Sequence, residues 1–202
     1  MGRRFLAERR RDPYYRAAQE EGLHSRAAFK LAELNDEFRL LHPGDRVLDL
    51  GAAPGGWSVV AADAVGPEGA VLAVDERRTD PIEGVESIRG RVGSEELRAR
   101  LAGCSFEVVL SDLSPRISGA YSTDHARSVD LVRTAFALAR PLLQPGGHFV
   151  AKVFDGDLRR PLERELKRHF ASLHRTKPAA SRERSSELYL LCLGFRPPRT
   201  TP

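Results

Sequence analysis

Apolar residues along this chain fall in short dense runs, and most of the runs are separated by stretches with a helical period. Strand-like runs are read at residues 46–50, 70–75, 85–88, 106–111, 147–153, 172–177 and 188–193. Helical spacing is read over residues 12–21, 25–38, 56–65, 95–101, 128–143 and 158–170. Strands alternating with helices predict an α/β fold, a mainly parallel sheet covered on both faces. "LQPGG" at residues 143–147 reads as the end of a helix and the start of a strand. No repeat or long linker interrupts the pattern. A single domain over residues 1–202 is therefore expected, opened by a basic arm and helix over residues 1–24.

Composition narrows the class. The chain has 202 residues, 41% hydrophobic and 30% charged, enough for one buried core. No apolar run approaches the ~20 residues that span a bilayer, so no membrane partner is expected. The first residues lack the apolar core of a secretory signal. Their arginines suit a transit peptide less well, because Glu8, Asp12, Glu20 and Glu21 interrupt them and Ser25 is the first serine. Cys104 and Cys192 make neither a disulfide framework nor a metal site, and the histidines lack ligand spacing, so no metal is expected. A cytoplasmic monomer is the expectation. The net charge is +4, and residues 1–16 carry all of it, six arginines against Glu8 and Asp12. A basic arm on a neutral domain suits a polyanion. A solvated tail accounts for the charge equally well.

Chemistry enters at "VLDLGAAPGGWS", residues 47–58. Glycines after a first strand permit close approach of a ligand, and open sheets bind ligands beyond the carboxyl ends of their strands. The spacing departs from a dinucleotide loop, because Ala53 takes the second glycine position and Pro54 follows. Asp75 ends the next strand, where a carboxylate suits the hydroxyls of a ribose. Together these point to an adenosine-type cofactor. Asp112 ends another apolar strand, and Lys152 lies inside one, where an isolated ammonium is costly without an anionic partner. Glu187 opens the last strand, where it could meet Lys152 across the sheet. Lys30 lies ~40° from Leu34 at the margin of the stripe formed by Ala27, Leu31, Leu34 and Phe38.

With these residues in view, the chain resembles the RlmE/FtsJ family of ribosomal RNA 2′-O-methyltransferases. The matching stretches include "SRAAFKL", "VLDLGAAPGGWS", "SDLSPRISG", "DHARSVDL", "LLQPGGHFVAKVF" and "KPAASRERSSELYL", in the family's order. The resemblance implies a class I S-adenosylmethionine-dependent fold, Rossmann-like, with seven strands of which one is antiparallel. It implies a catalytic set of Lys30, Asp112, Lys152 and Glu187. It implies cofactor contacts at Gly51, Pro54, Gly55, Trp57, Asp75 and Asp112, with Trp57 lining the pocket. RNA contacts are expected at Arg3, Arg4, Arg9, Arg10, Arg11, Arg26, Arg175, Arg182 and Arg184. Two positions depart from the family. Arg91 stands where an Asp usually meets the adenine amino group, and arginine has no acceptor. Arg116 stands where Asn is frequent.

The implied reaction methylates the ribose 2′-hydroxyl of a uridine in large-subunit ribosomal RNA. Lys152 acts as base or steering group, Asp112 and Glu187 orient it, and Lys30 opposes its positive charge. A transfer RNA anticodon-loop methyltransferase shares the same four residues. A non-catalytic RNA-binding assembly factor would have no use for them. A nicotinamide oxidoreductase is disfavoured by Ala53.

Overall fold

Strands β1 (Arg46–Leu50), β4 (Phe106–Ser111), β5 (Leu143–Phe154) and β7 (Glu187–Phe195) are built from nearly unbroken apolar runs because both of their faces are covered. Alternate residues go to opposite sides. Val47, Val108, Leu110, Val150, Tyr189 and Leu191 pack on one face, while Leu48, Val109, Phe149, Ala151, Leu190 and Cys192 pack on the other. The computed structural model describes residues 23–181 and 185–198, with side chains from Ala27 onward. The expected helix at 12–21 lies outside these residues, as do Arg3, Arg4, Arg9, Arg10, Arg11, Arg182, Arg184 and the side chain of Arg26.

The remaining elements are α1 (Leu23–Phe38), α2 (Gly56–Val65), β2 (Ala70–Asp75), β3 (Val85–Arg89), α3 (Glu95–Leu101), α4 (Tyr121–Ala139), α5 (Arg159–Lys167) and β6 (Phe170–Thr176). Among the described residues the strands form one sheet in the order β3-β2-β1-β4-β5-β7-β6. β1 pairs in parallel with both β2 and β4. β7 runs antiparallel to β5 and to β6, which makes it the single reversed strand. The chain order turns at β1, so the crevice beyond the ends of β1 and β4 is the topological switch point. Helices α1 and α2 cover one face through Leu31, Leu34, Trp57 and Val60, and α4 covers the other through Val129, Val132 and Phe136. Among the described residues no helix is long and apolar enough to cross a membrane.

The boundaries that differ most from expectation are those of α4 and β5. The helix read at 128–143 is α4, which starts at Tyr121 and ends at Ala139. Its first turn is polar, and hydrogen bonds from the preceding loop to Asp124 stand there in place of apolar periodicity. Asp124 accepts the backbone N–H groups of Ser118 and Gly119 and the Ser118 hydroxyl. Pro141 cannot continue the helix. "LQPGG" therefore lies within β5 and does not end a helix. Phe106 faces Leu143 and Val108 faces His148, so residues 144–147 bulge out of the ladder.

One acid sits inside the sheet. Asp49 is fully buried on β1 and takes a 2.7 Å hydrogen bond from Ser58 Oγ at the start of α2, while its Oδ1 has no partner among the described residues. Burial pushes its pKa up from 3.8 to about 7, against the lowering effect of Ser58 and with help from the charges of Asp112 and Asp75. The unfolded chain holds this proton less tightly than the fold does. Asp49 therefore adds stability below about pH 4, and that contribution is lost as pH rises through about 7. Replacing it by Asn keeps a polar partner for Ser58 and removes the titration. The stability difference, D49N minus wild type, is expected to grow by a few kcal/mol between pH 4 and pH 7 and then level off. Urea unfolding of D49N and wild type across that range checks it. A difference that does not change with pH contradicts the buried, proton-holding Asp49.

Candidate active site

Gly51 ends β1 with φ at +78°, and a Cβ there would meet Leu113 Cδ2 at 2.9 Å and Leu113 Cα at 3.2 Å. Glycine thus lets the β1 loop lie against the segment that follows β4. The loop is tied to β2 at its other side. Gly51 N–H donates to Val74 O at 2.8 Å, and Ala53 N–H donates to Asp75 Oδ2 at 3.0 Å. Asp75 Oδ1 takes the Arg77 backbone N–H at 2.8 Å, and the Arg77 guanidinium reaches back to Ala53 O at 2.8 Å. Asp75 Oδ1 also takes the Arg77 Nε–H at 3.5 Å, whereas Oδ2 carries the Ala53 N–H and keeps a lone pair free.

A cavity of about 1010 Å³ opens over this loop. Gly51, Ala53, Asp75, Asp112 and Lys152 line it, with Gly90, Arg91 and Val92 along its β3 side. Pro54 is exposed beside the cavity, and Gly55 is buried against Ile82. Trp57 was expected to line the pocket, but its indole is 2% exposed and packs in the core 5.6 Å from the Tyr189 ring. Its position two residues into α2, beneath α1, turns it inward. Arg91 sits at the cavity rim, where its Nε lies 3.5 Å from Glu76 Oε1. Arg116 lines the cavity too.

The four residues of the expected catalytic set come together as two ion pairs. Lys152 Nζ lies 3.1 Å from Asp112 Oδ1 and donates to Asp112 O at 2.9 Å. Lys30 Nζ lies 2.9 Å from Glu187 Oε2. The expected contact between Glu187 and Lys152 is thereby corrected. Register places Tyr189 opposite Lys152 and Phe154 opposite Glu187, so Glu187 stands one step further out, under α1 and Lys30. Burial raises the Glu187 pKa, but the Lys30 hydrogen bond and the charges of Lys152 and Lys30 outweigh it and hold the carboxyl below its ordinary range.

Tyr189 joins the two pairs. Its hydroxyl donates to Asp112 Oδ1 at 3.1 Å, and its ring lies 5.7 Å from Lys30 Nζ. Burial, then the charges of Asp112 and Glu187, push its pKa far up, so it remains a donor. It was not among the residues singled out from the sequence. The signal was its spacing: two residues beyond Glu187 on one strand, it must share that residue's face. Arg175 lies away from these groups on β6, half exposed and 3.9 Å from Glu163 Oε1. Among the described residues no group of three or more His, Cys, Asp or Glu is placed to hold a metal.

This geometry can hold a nucleoside at the β1–β2 side of one cavity and a hydroxyl at the Lys152 side. Comparison with known proteins agrees with it. Residues 23–195 match the family model described as FtsJ-like methyltransferase. A ribosomal RNA large subunit methyltransferase E from Archaeoglobus fulgidus is 47% identical, over 93% of this chain and 97% of the relative. One from Methanothermobacter thermautotrophicus is 45% identical, over 97% and 95%. Among solved structures, a ribosomal RNA methyltransferase of Plasmodium falciparum aligns with a TM-score of 0.76 and 28% identity, covering 85% of this chain and 98% of that one. With a match that spans the cavity loop, both ion pairs and the whole sheet, the chain belongs to the FtsJ-like methyltransferase family.

Proposed function

We propose that this protein transfers the methyl group of S-adenosylmethionine to the ribose 2′-hydroxyl of a uridine in large-subunit ribosomal RNA. One observation carries the reading. Asp75 and Lys152 face one cavity, so the acceptor for a nucleoside ribose and the group that can handle a hydroxyl proton share a single space. The names borne by relatives of 45% and 47% identity supply the RNA class.

The residues present fit the cofactor. Gly51 leaves open the volume that a Cβ would fill against Leu113. Asp75 Oδ2 offers an open lone pair at the rim of the loop. With Arg91 in place of an acidic residue, the adenine amino group is left to backbone carbonyls along residues 90–92. When bound, the sulfonium supplies an activated methyl group.

The chain's own groups do the rest. Asp112 fixes Lys152 Nζ at the cavity wall through two contacts, which aims its remaining proton site into the cavity. A ribose hydroxyl there meets a lysine that, once neutral, takes its proton. Asp112 then stabilises the ammonium that forms. Tyr189 holds Asp112 in place, and the Lys30–Glu187 pair closes the far side. Residues 1–202 act as one methyltransferase domain, as a monomer in the cytoplasm. The arm at 1–24 supplies phosphate contacts through Arg3, Arg4, Arg9, Arg10 and Arg11, with Arg26, Arg175, Arg182 and Arg184 as further phosphate contacts.

Two variants test these assignments. Asp75→Ala is expected to weaken S-adenosylmethionine binding by about 1–3 kcal/mol, the scale of unmade hydrogen bonds, as read by titration calorimetry. An unchanged affinity rejects the pocket. Lys152→Arg keeps the charge beside Asp112 but cannot give up a proton at working pH. Its single-turnover rate on large-subunit RNA is expected to fall by about 10²–10⁴ with cofactor affinity retained. Near wild-type turnover by this variant rules out Lys152 as the base.

A further inference from the structure

Four large apolar side chains stand exposed among the described residues, Val59, Ile117, Tyr121 and Leu158. Single ones need no explanation. Three of them, however, gather beyond the carboxyl ends of β4 and β5, beside the residues that line the catalytic cavity. Ile117 precedes Ser118, which Asp124 ties to the start of α4. Tyr121 is the first residue of α4, and Leu158 precedes α5.

His125 organises this rim. It is 4% exposed, its Nδ1 lies 2.9 Å from Phe154 O, and its Nε2 accepts the Leu158 N–H at 3.0 Å. The Tyr121 ring lies nearly parallel to the imidazole, at 16° with centroids 6.5 Å apart. Its hydroxyl donates to Asp155 O at 2.6 Å. Asp155 N–H in turn donates to Ser186 O at 2.8 Å, the residue before Glu187. Tyr121 is thus anchored to the end of the strand that carries Lys152, with one side turned to His125 and 60% of its surface open. Arg116 and Arg127 stand exposed nearby, linked by a 3.5 Å hydrogen bond from Arg127 to Arg116 O.

We propose that Tyr121 is a stacking platform for an unpaired base of the RNA substrate, beside the nucleotide whose ribose reaches Lys152. Ile117 and Leu158 flank the base, and Arg116 and Arg127 meet its phosphates. The inference rests on the RNA methyltransferase reading above. An aromatic face with cations around it suits a nucleobase on a phosphate chain, whereas an apolar protein surface would leave both guanidinium groups without a counterpart. The tethered hydroxyl fixes the ring before the RNA arrives, so little side-chain freedom is lost on binding. Presenting one 2′-oxygen in line requires its ribose to be held, and gripping the neighbouring base does so. Tyr121 is a positioning residue in this account.

Three full-length variants test it. Tyr121→Leu keeps apolar bulk and removes the aromatic face. Its KM for undermethylated large subunits and its Kd for a single-stranded oligouridylate are expected to rise roughly tenfold or more. Cofactor affinity is expected to hold, and kcat at saturating RNA is expected to fall by less than the KM rises, because the ribose is held less firmly in line. Tyr121→Phe loses only the tether and is expected to stay within about fivefold of wild type. Tyr121→Trp restores the face, and its fluorescence is expected to be quenched by the oligouridylate. Wild-type KM and Kd in Tyr121→Leu, with methylation intact, overturn the platform and leave the function standing. Tyr121-dependent RNA binding by a wild-type protein that methylates no RNA does the reverse. Unaltered RNA affinity in Tyr121→Leu together with new protease cleavage within residues 1–22 would make that segment the occupant, and also overturns the platform.

Discussion

A lysine inside a covered sheet needs a carboxylate, and the contact between Lys152 and Asp112 answers that need. Its side chain is 6% exposed, and leaving either charge without the other costs several kcal/mol. The strand order makes the contact available, because β4 lies directly beside β5 and ends where Lys152 reaches its rim. Reversed β7 supplies the neighbouring groups. Tyr189 faces Lys152 in register and bonds Asp112, and Glu187 follows one step outward with Lys30 of α1. Two ion pairs and one phenol are thereby locked on a single face of three adjacent strands.

The cavity loop depends on the same strand end. Gly51 lies against Leu113, the residue after Asp112, so the Asp75 side and the Lys152 side of the cavity meet at the carboxyl ends of β1 and β4. A side chain at Gly51 would push the two apart. Asp49, buried one step below, ties β1 to α2 through Ser58 and is held toward its protonated form by burial and by the charges of Asp112 and Asp75. The β1 loop and Lys152 thus line one cavity at adjoining strand ends.

Much of this was legible in the sequence, for physical reasons. Sheet strands were visible because two-sided burial demands apolar runs, and the site residues stood out as polar groups interrupting such runs at their ends. Lys152 within "VAKVF" is the clearest instance. Pairing was less legible, since it depends on register between strands distant in sequence. Glu187 was expected to reach Lys152, and a two-residue offset gives it to Lys30 instead. Trp57 was expected in the pocket, yet apolar packing under α1 draws the indole into the core. The start of α4 was missed because its first turn is polar, tied to the preceding loop through Asp124, where the reading followed apolar periodicity.

The account turns on where the methyl group lands. Incubating the protein with labelled S-adenosylmethionine and undermethylated large ribosomal subunits, then digesting the RNA to nucleosides, reads this directly. Label in 2′-O-methyluridine is the predicted result. Label in a base-methylated nucleoside, or in transfer RNA in place of the large-subunit RNA, would contradict it.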